Sequence, residues 1–108
     1  MAFDGIKEIL VLHHSHMDIG YTHTPPVVWE FQREFLVQVM DYLELTADWP
    51  EVSQPRWTCE VTSQVKTFLE LADPEDVERF TAHVRSGRIG LTAGQHNIIA
   101  TLNAEQLI

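Results

Sequence analysis

The 108-residue chain is poor in several features that usually fix a protein's setting. It has one cysteine, Cys59, so no internal disulfide can form. Its seven Lys and Arg stand against sixteen Asp and Glu, for a net charge of -9. Those few cations are scattered rather than clustered, which excludes phosphate-backbone and anionic-membrane partners, both of which need grouped Lys and Arg. The apolar run Ile9 to Leu12 is four residues long, too short for a membrane span or the core of a signal peptide. A reducing cytoplasm is therefore the expected location. What remains is an ordinary globular composition, 44% hydrophobic and 21% charged, expected to form one segment over 1–108. A chain of this size buries only about two-thirds of its unfolded surface, so a deep, many-walled pocket would need walls from elsewhere.

Hydrophobic patterning predicts an α/β chain. Ile6 to Leu12 ends in an unbroken apolar run, the pattern of a strand covered on both faces. His13 to Thr24 is a polar loop, and Thr24-Pro25-Pro26 is a helix start with proline in the first turn. In the helix that follows, Val28, Phe31, Phe35, Val39 and Tyr42 recur at helical spacing, with Glu30, Arg33, Glu34, Gln38 and Asp41 on the wet side. It should end near Thr46, ahead of Pro50 and Pro55. Arg56 to Glu60 is expected as a second strand and Ser63 to Leu71 as a helical turn or two. Asp73-Pro74-Glu75-Asp76 starts another helix, which Gly87 ends. Arg88 to Thr92 should be a third strand, and Asn103 to Gln106 has the form of a capping box. This order predicts a parallel β-α-β-α-β segment, the first three strands of an irregular seven- or eight-stranded (β/α) barrel that normally needs ~250 residues.

Ligands of α/β proteins gather at the carboxyl ends of strands, and four of the six histidines fall between His13 and His23, directly after the first expected strand. His16 and Asp18 are two residues apart, so on extended chain both project to the same side, as does His14. Imidazole and carboxylate are ordinary zinc ligands, and catalytic zinc keeps a position open for water or substrate. The competing reading is a solvated, hydrogen-bonded loop.

The string His14-Ser15-His16-Met17-Asp18-Ile19-Gly20-Tyr21 resembles the strand-one signature of glycoside hydrolase family 38, the zinc-dependent retaining α-mannosidases, written His-Ser-His-Asn-Asp-Pro-Gly-Trp, with five of the eight positions identical. Trp57-Thr58-Cys59-Glu60 and the stretch Gly87 to Gly94 are similar to later parts of that family's layout, so the resemblance covers nearly the whole chain. It implies that His16 and Asp18 hold one zinc ion completed by ligands beyond this stretch, and that Tyr21 packs on a sugar. It further implies that the catalytic carboxylates follow residue 108, so that no catalytic residue lies in this chain and the chain alone is inactive. Met17, Ile19 and Tyr21 depart from the family string, which leaves the sugar and linkage open.

Other candidates carry alternatives. His96 and Asn97, after the third expected strand, are candidates for substrate hydroxyls against a solvated-loop reading. Glu60 is open between a sugar hydroxyl and a pairing with Arg56 or His14. His14, and more weakly His13 and His23, are candidates to orient the metal ligands, with exposed histidine as the default. His83, Trp29 and Phe35 are expected to be structural, and Cys59 a buried small hydrophobe. Two other functions fit the His-x-Asp pair: a metal-dependent hydrolase of another bond, such as a sugar deacetylase, and a non-catalytic zinc-binding fragment.

Overall fold

The structure, a computed structural model, describes residues 5–94. His96, Asn97 and the capping-box stretch 103–106 lie outside the described residues. Helix α1 spans Pro25–Leu45, strand β1 Trp57–Cys59, helix α2 Thr62–Leu71, helix α3 Pro74–Arg85 and strand β2 Ile89–Leu91, with a short 3₁₀ turn at Glu51–Ser53. The two strands are parallel, with Trp57 opposite Ile89, Thr58 opposite Gly90 and Cys59 opposite Leu91.

The helix boundaries follow from local chemistry. Thr24 precedes α1 in extended conformation, and Pro25 and Pro26 occupy positions whose missing N–H groups cost the helix nothing. The cap works through the backbone: the Thr24 carbonyl accepts from Val27 and Val28, while its hydroxyl makes no capping bond. At the other end, the Thr46 hydroxyl donates to the Tyr42 carbonyl at 2.8 Å. Arg88 reaches across from the start of β2, donating to the Leu43 carbonyl at 3.1 Å and to Gln54 Oε1 at 3.0 Å. One side chain thus satisfies an orphan carbonyl of α1 and holds the following loop. Helix α3 begins after Asp73, with Glu75 and Asp76 in its first turn and His83 and Arg85 in its last, matching the helix dipole at both ends. Gly87 follows at φ +74°, a left-handed conformation open to glycine at little cost.

The core joins α1, α2, α3 and both strands through Leu36, Val39, Met40, Leu43, Cys59, Val65, Phe68, Phe80 and Ile89. The buried stripe of α1 is Val28, Gln32, Leu36, Val39, Met40 and Leu43. It is rotated from the stripe the sequence suggests. Phe31 and Phe35 are half-buried and Tyr42 is exposed, because α1 is apolar on two adjacent faces and α2 and α3 cover only one. Phe35 and Tyr42, with Trp49 and Trp57, instead line an open groove of about 520 Å³.

The β-α-β-α-β barrel segment is not what forms. The described residues hold three helices and two three-residue strands, and the fold is mainly helical. Ile6 to Leu12, expected as a strand buried on both faces, pairs in no sheet among the described residues, and Ile6, Ile9, Leu10, Val11 and Leu12 are 56% to 78% exposed. Its nearest backbone tie is at its end, where the Thr58 N–H donates to the His13 carbonyl at 2.8 Å. An all-apolar strand is stabilised by layers on both faces. Among the described residues the helices pack against one another and the β1–β2 pair, and no layer covers the segment.

Charge ties α3 to α1. The Arg79 guanidinium donates to both carboxylate oxygens of Glu44 at 2.9 Å, to Asp41 at 2.6 Å and to Asp76 at 2.8 Å. Arg79 holds the Glu44 carboxyl below its ordinary 4.5, with His83 adding to the effect. Because the folded value is depressed, this contribution is complete above the ordinary value and disappears as pH falls through the folded one. Arg79→Met keeps the apolar stem and removes the charge. It is expected to cost about 1 kcal/mol at neutral pH, the exposed side of the network being screened by solvent. The gap between variant and parent urea midpoints should close as pH drops below 4.5; a gap independent of pH would refute the role of the pair.

Candidate functional site

The loop between His13 and Thr24 turns at Gly20, whose φ of +81° favours glycine. Before that turn the chain passes the carboxyl end of β1, where Glu60 stands. The Thr92 hydroxyl donates to the Glu60 carbonyl and so fixes that residue from the end of β2. The loop histidine that meets Glu60 is His16. Its Nδ1 lies 2.9 Å from both Glu60 carboxylate oxygens, and its Nε2 lies 3.1 Å from Asp18 Oδ1.

An imidazole between two carboxylates donates from both nitrogens, which is the imidazolium form. The hydrogen bonds to Glu60 and then to Asp18 accordingly raise the His16 pKa above its ordinary 6.5. The same geometry suits a metal. Two ligand atoms each about 2.1 Å from a tetrahedral ion stand about 3.4 Å apart, close to the separation of Nε2 and Asp18 Oδ1. An ion taking Nε2 would displace its proton and leave Nδ1–H donating to Glu60, the carboxylate–histidine–metal arrangement that orients a ligand ring. The donor set therefore fits the pair of ligands expected from the sequence. Among the described residues no group of three His, Cys, Asp or Glu is placed to hold an ion. Any third protein ligand would come from outside them.

The other expected site residues fall in different places. His14 Nδ1 is 4.0 Å from Glu60 Oε1, on the carboxylate behind His16 and not in the gap beside Asp18. Tyr21 is 85% exposed. His23 packs edge-on against Phe31, with ring centroids 5.5 Å apart. His13 lines the aromatic groove. His83 Nε2 lies 3.3 Å from Glu44 Oε1, a structural contact. Cys59 is fully buried, and desolvation pushes its thiol up to about 12, so it is inert as a nucleophile at neutral pH. Arg56 approaches Glu51 at 3.9 Å, which leaves Glu60 to the histidines.

The sequence left Glu60 undecided and did not pair it with His16, because the 44-residue separation is closed only by the loop passing the end of β1. Glu60→Gln keeps the size of the side chain and removes the charge. In metal-free protein it should lower the His16 titration midpoint measured by NMR, and it should weaken zinc binding about 10- to 100-fold, the usual effect of losing an outer carboxylate. Zinc affinity equal to the parent's would show that Glu60 does not orient His16.

His16, Asp18 and Glu60 line one side of a cleft of about 400 Å³, with Gln32 from α1 and Ser63 and Gln64 from α2 on its walls. In comparisons with known proteins, no family model, curated protein or solved structure matches the chain.

Proposed function

We propose that this chain is the metal-binding part of a zinc-dependent hydrolase that acts on glycosidic bonds, similar to the family 38 α-mannosidases in its His-x-Asp motif. The observation that carries the reading is the 3.1 Å approach of His16 Nε2 to Asp18 Oδ1, with Glu60 behind Nδ1. A zinc ion held there would supply a Lewis acid able to bind two adjacent sugar hydroxyls. His16 and Asp18 hold the ion in this reading, and Glu60 keeps the imidazole in the tautomer that presents Nε2. Tyr21, exposed on the same loop, offers an aromatic face to a sugar ring. The two carboxylates of a retaining mechanism are assigned to no residue of this chain. Among the described residues no helix is long and apolar enough to cross a membrane.

The test is Asp18→Ala in the full-length protein, reading zinc content together with hydrolysis of an aryl α-mannoside. Both should be lost. Unchanged zinc and unchanged turnover would overturn the reading, and release of acetate from an acetylated sugar, with no glycoside cleavage, would transfer the site to a deacetylase.

A further inference from the structure

The buried faces of α1 and α2 each contain an anomaly. The α1 stripe is apolar at Val28, Leu36, Val39, Met40 and Leu43 but polar at Gln32; the α2 face is apolar at Val65 and Phe68 but polar at Gln64. Both glutamines are only 5% exposed. Neither side-chain amide is hydrogen-bonded among the described residues, and both line the cleft that holds His16, Asp18 and Glu60. The Ser63 hydroxyl, also in that wall, is buried with no hydrogen-bond partner among the described residues.

Burying a polar group without a partner is unfavourable, and Leu or Met would fill either helix position better. The Ser63 hydroxyl is such a group, and the Gln32 and Gln64 amides, polar on otherwise apolar helix faces, join it in the wall of one cleft beside a metal-type pair. Breaches of local patterning of this kind concentrate where a ligand completes the hydrogen bonding. An amide both donates and accepts, and a hydroxyl does the same. The three groups together therefore complement a polyol, which has adjacent hydroxyls and no charge. A phosphate or carboxylate is disfavoured, because Asp18 and Glu60 face the same space.

We infer that the cleft between α1 and α2 is a sugar-hydroxyl subsite, in which Gln32, Gln64 and Ser63 bind the ring hydroxyls of a pyranoside next to the His16–Asp18 pair. The identity of the ligand rests on the glycoside reading above; the presence of a polyol subsite does not require the metal.

The test uses the ¹⁵N-labelled chain titrated with methyl α-D-mannoside, methyl α-D-glucoside and methyl α-D-galactoside, each with and without zinc. At least one glycoside should shift the side-chain amide signals of Gln32 and Gln64. The Gln54 amide should stay in place, since its Nε2 already donates to the Ala47 and Trp49 carbonyls. Gln32→Met and Gln64→Met are near-isosteric, and each should weaken glycoside binding about tenfold or more without lowering Tm. No shift with any of the three glycosides overturns the subsite. So do Met variants that bind like the parent, or that lose stability, which would make the amides packing elements. Amide shifts that persist without zinc, in a protein whose zinc uptake ignores Asp18→Ala, would leave the subsite standing and remove the metal reading.

Discussion

Phe68→Ala is expected to lower Tm by more than about 12 °C or to unfold the chain outright. Phe68 is fully buried, and its ring lies 5.0 Å from that of Phe80, tilted by 44°. It stands in the cluster that joins Leu36, Met40 and Leu43 of α1 to Ile89 of β2. Truncating a buried phenylalanine costs about 3–5 kcal/mol, the sum of lost transfer energy and the cavity left behind. In a domain of this size each kcal/mol moves Tm by roughly 4–8 °C. The whole stability of a small domain is of the order of 5 kcal/mol or a little more, so this one residue commands a large part of it. Phe68→Leu, which keeps most of the volume, should cost about 1.5 kcal/mol or less. Circular dichroism melts of the two variants and the parent give the comparison. A Tm for Phe68→Ala within a few degrees of the parent would mean that the three helices do not share this core.

Asp18→Ala should weaken zinc binding by more than about 100-fold. On the proposed reading Asp18 is a direct ligand, and removing even a carboxylate that only orients a ligand costs about 10- to 100-fold. The remaining donor, His16, is one neutral imidazole once its proton is displaced, and a single ligand on a loop does not outcompete water for zinc. The fold should not change. Asp18 is exposed and contributes nothing to the core, so the Asp18→Ala melt should overlay the parent's. Competition with a chelating dye reads the affinity and the melt reads the fold, which separates loss of a ligand from loss of structure. Affinity within tenfold of the parent would place the ion elsewhere or nowhere on the chain.

Much of the local structure was legible because local rules decide it. Two prolines after Thr24 fix the start of α1, and the Thr46 stop precedes Pro50. Asp73-Pro74 and Gly87 bracket α3, and the two short parallel strands lie within the stretches Arg56 to Glu60 and Arg88 to Thr92 expected as strands. The His-x-Asp pair was legible too, since two residues apart on extended chain lie together whatever the rest of the fold does. The stripe of α1 was misplaced by about one residue because its apolar positions are too many for one face. Which face is buried then depends on where α2 and α3 pack. Ile6 to Leu12 was misread for a related reason: an apolar run states a preference for burial and says nothing of whether the layers to bury it are present.

The sequence by itself determined the helices, their ends, the inert Cys59 and the His16–Asp18 pair, all of them properties of neighbours along the chain. Only the tertiary structure decided that the fold is mainly helical rather than a barrel segment. It alone brought Glu60 to within 2.9 Å of His16 across 44 residues and set Gln32 beside Gln64 on one cleft. Those contacts arise from the packing of α1 on α2 and the passage of a loop over the end of β1, and no spacing along the chain encodes them.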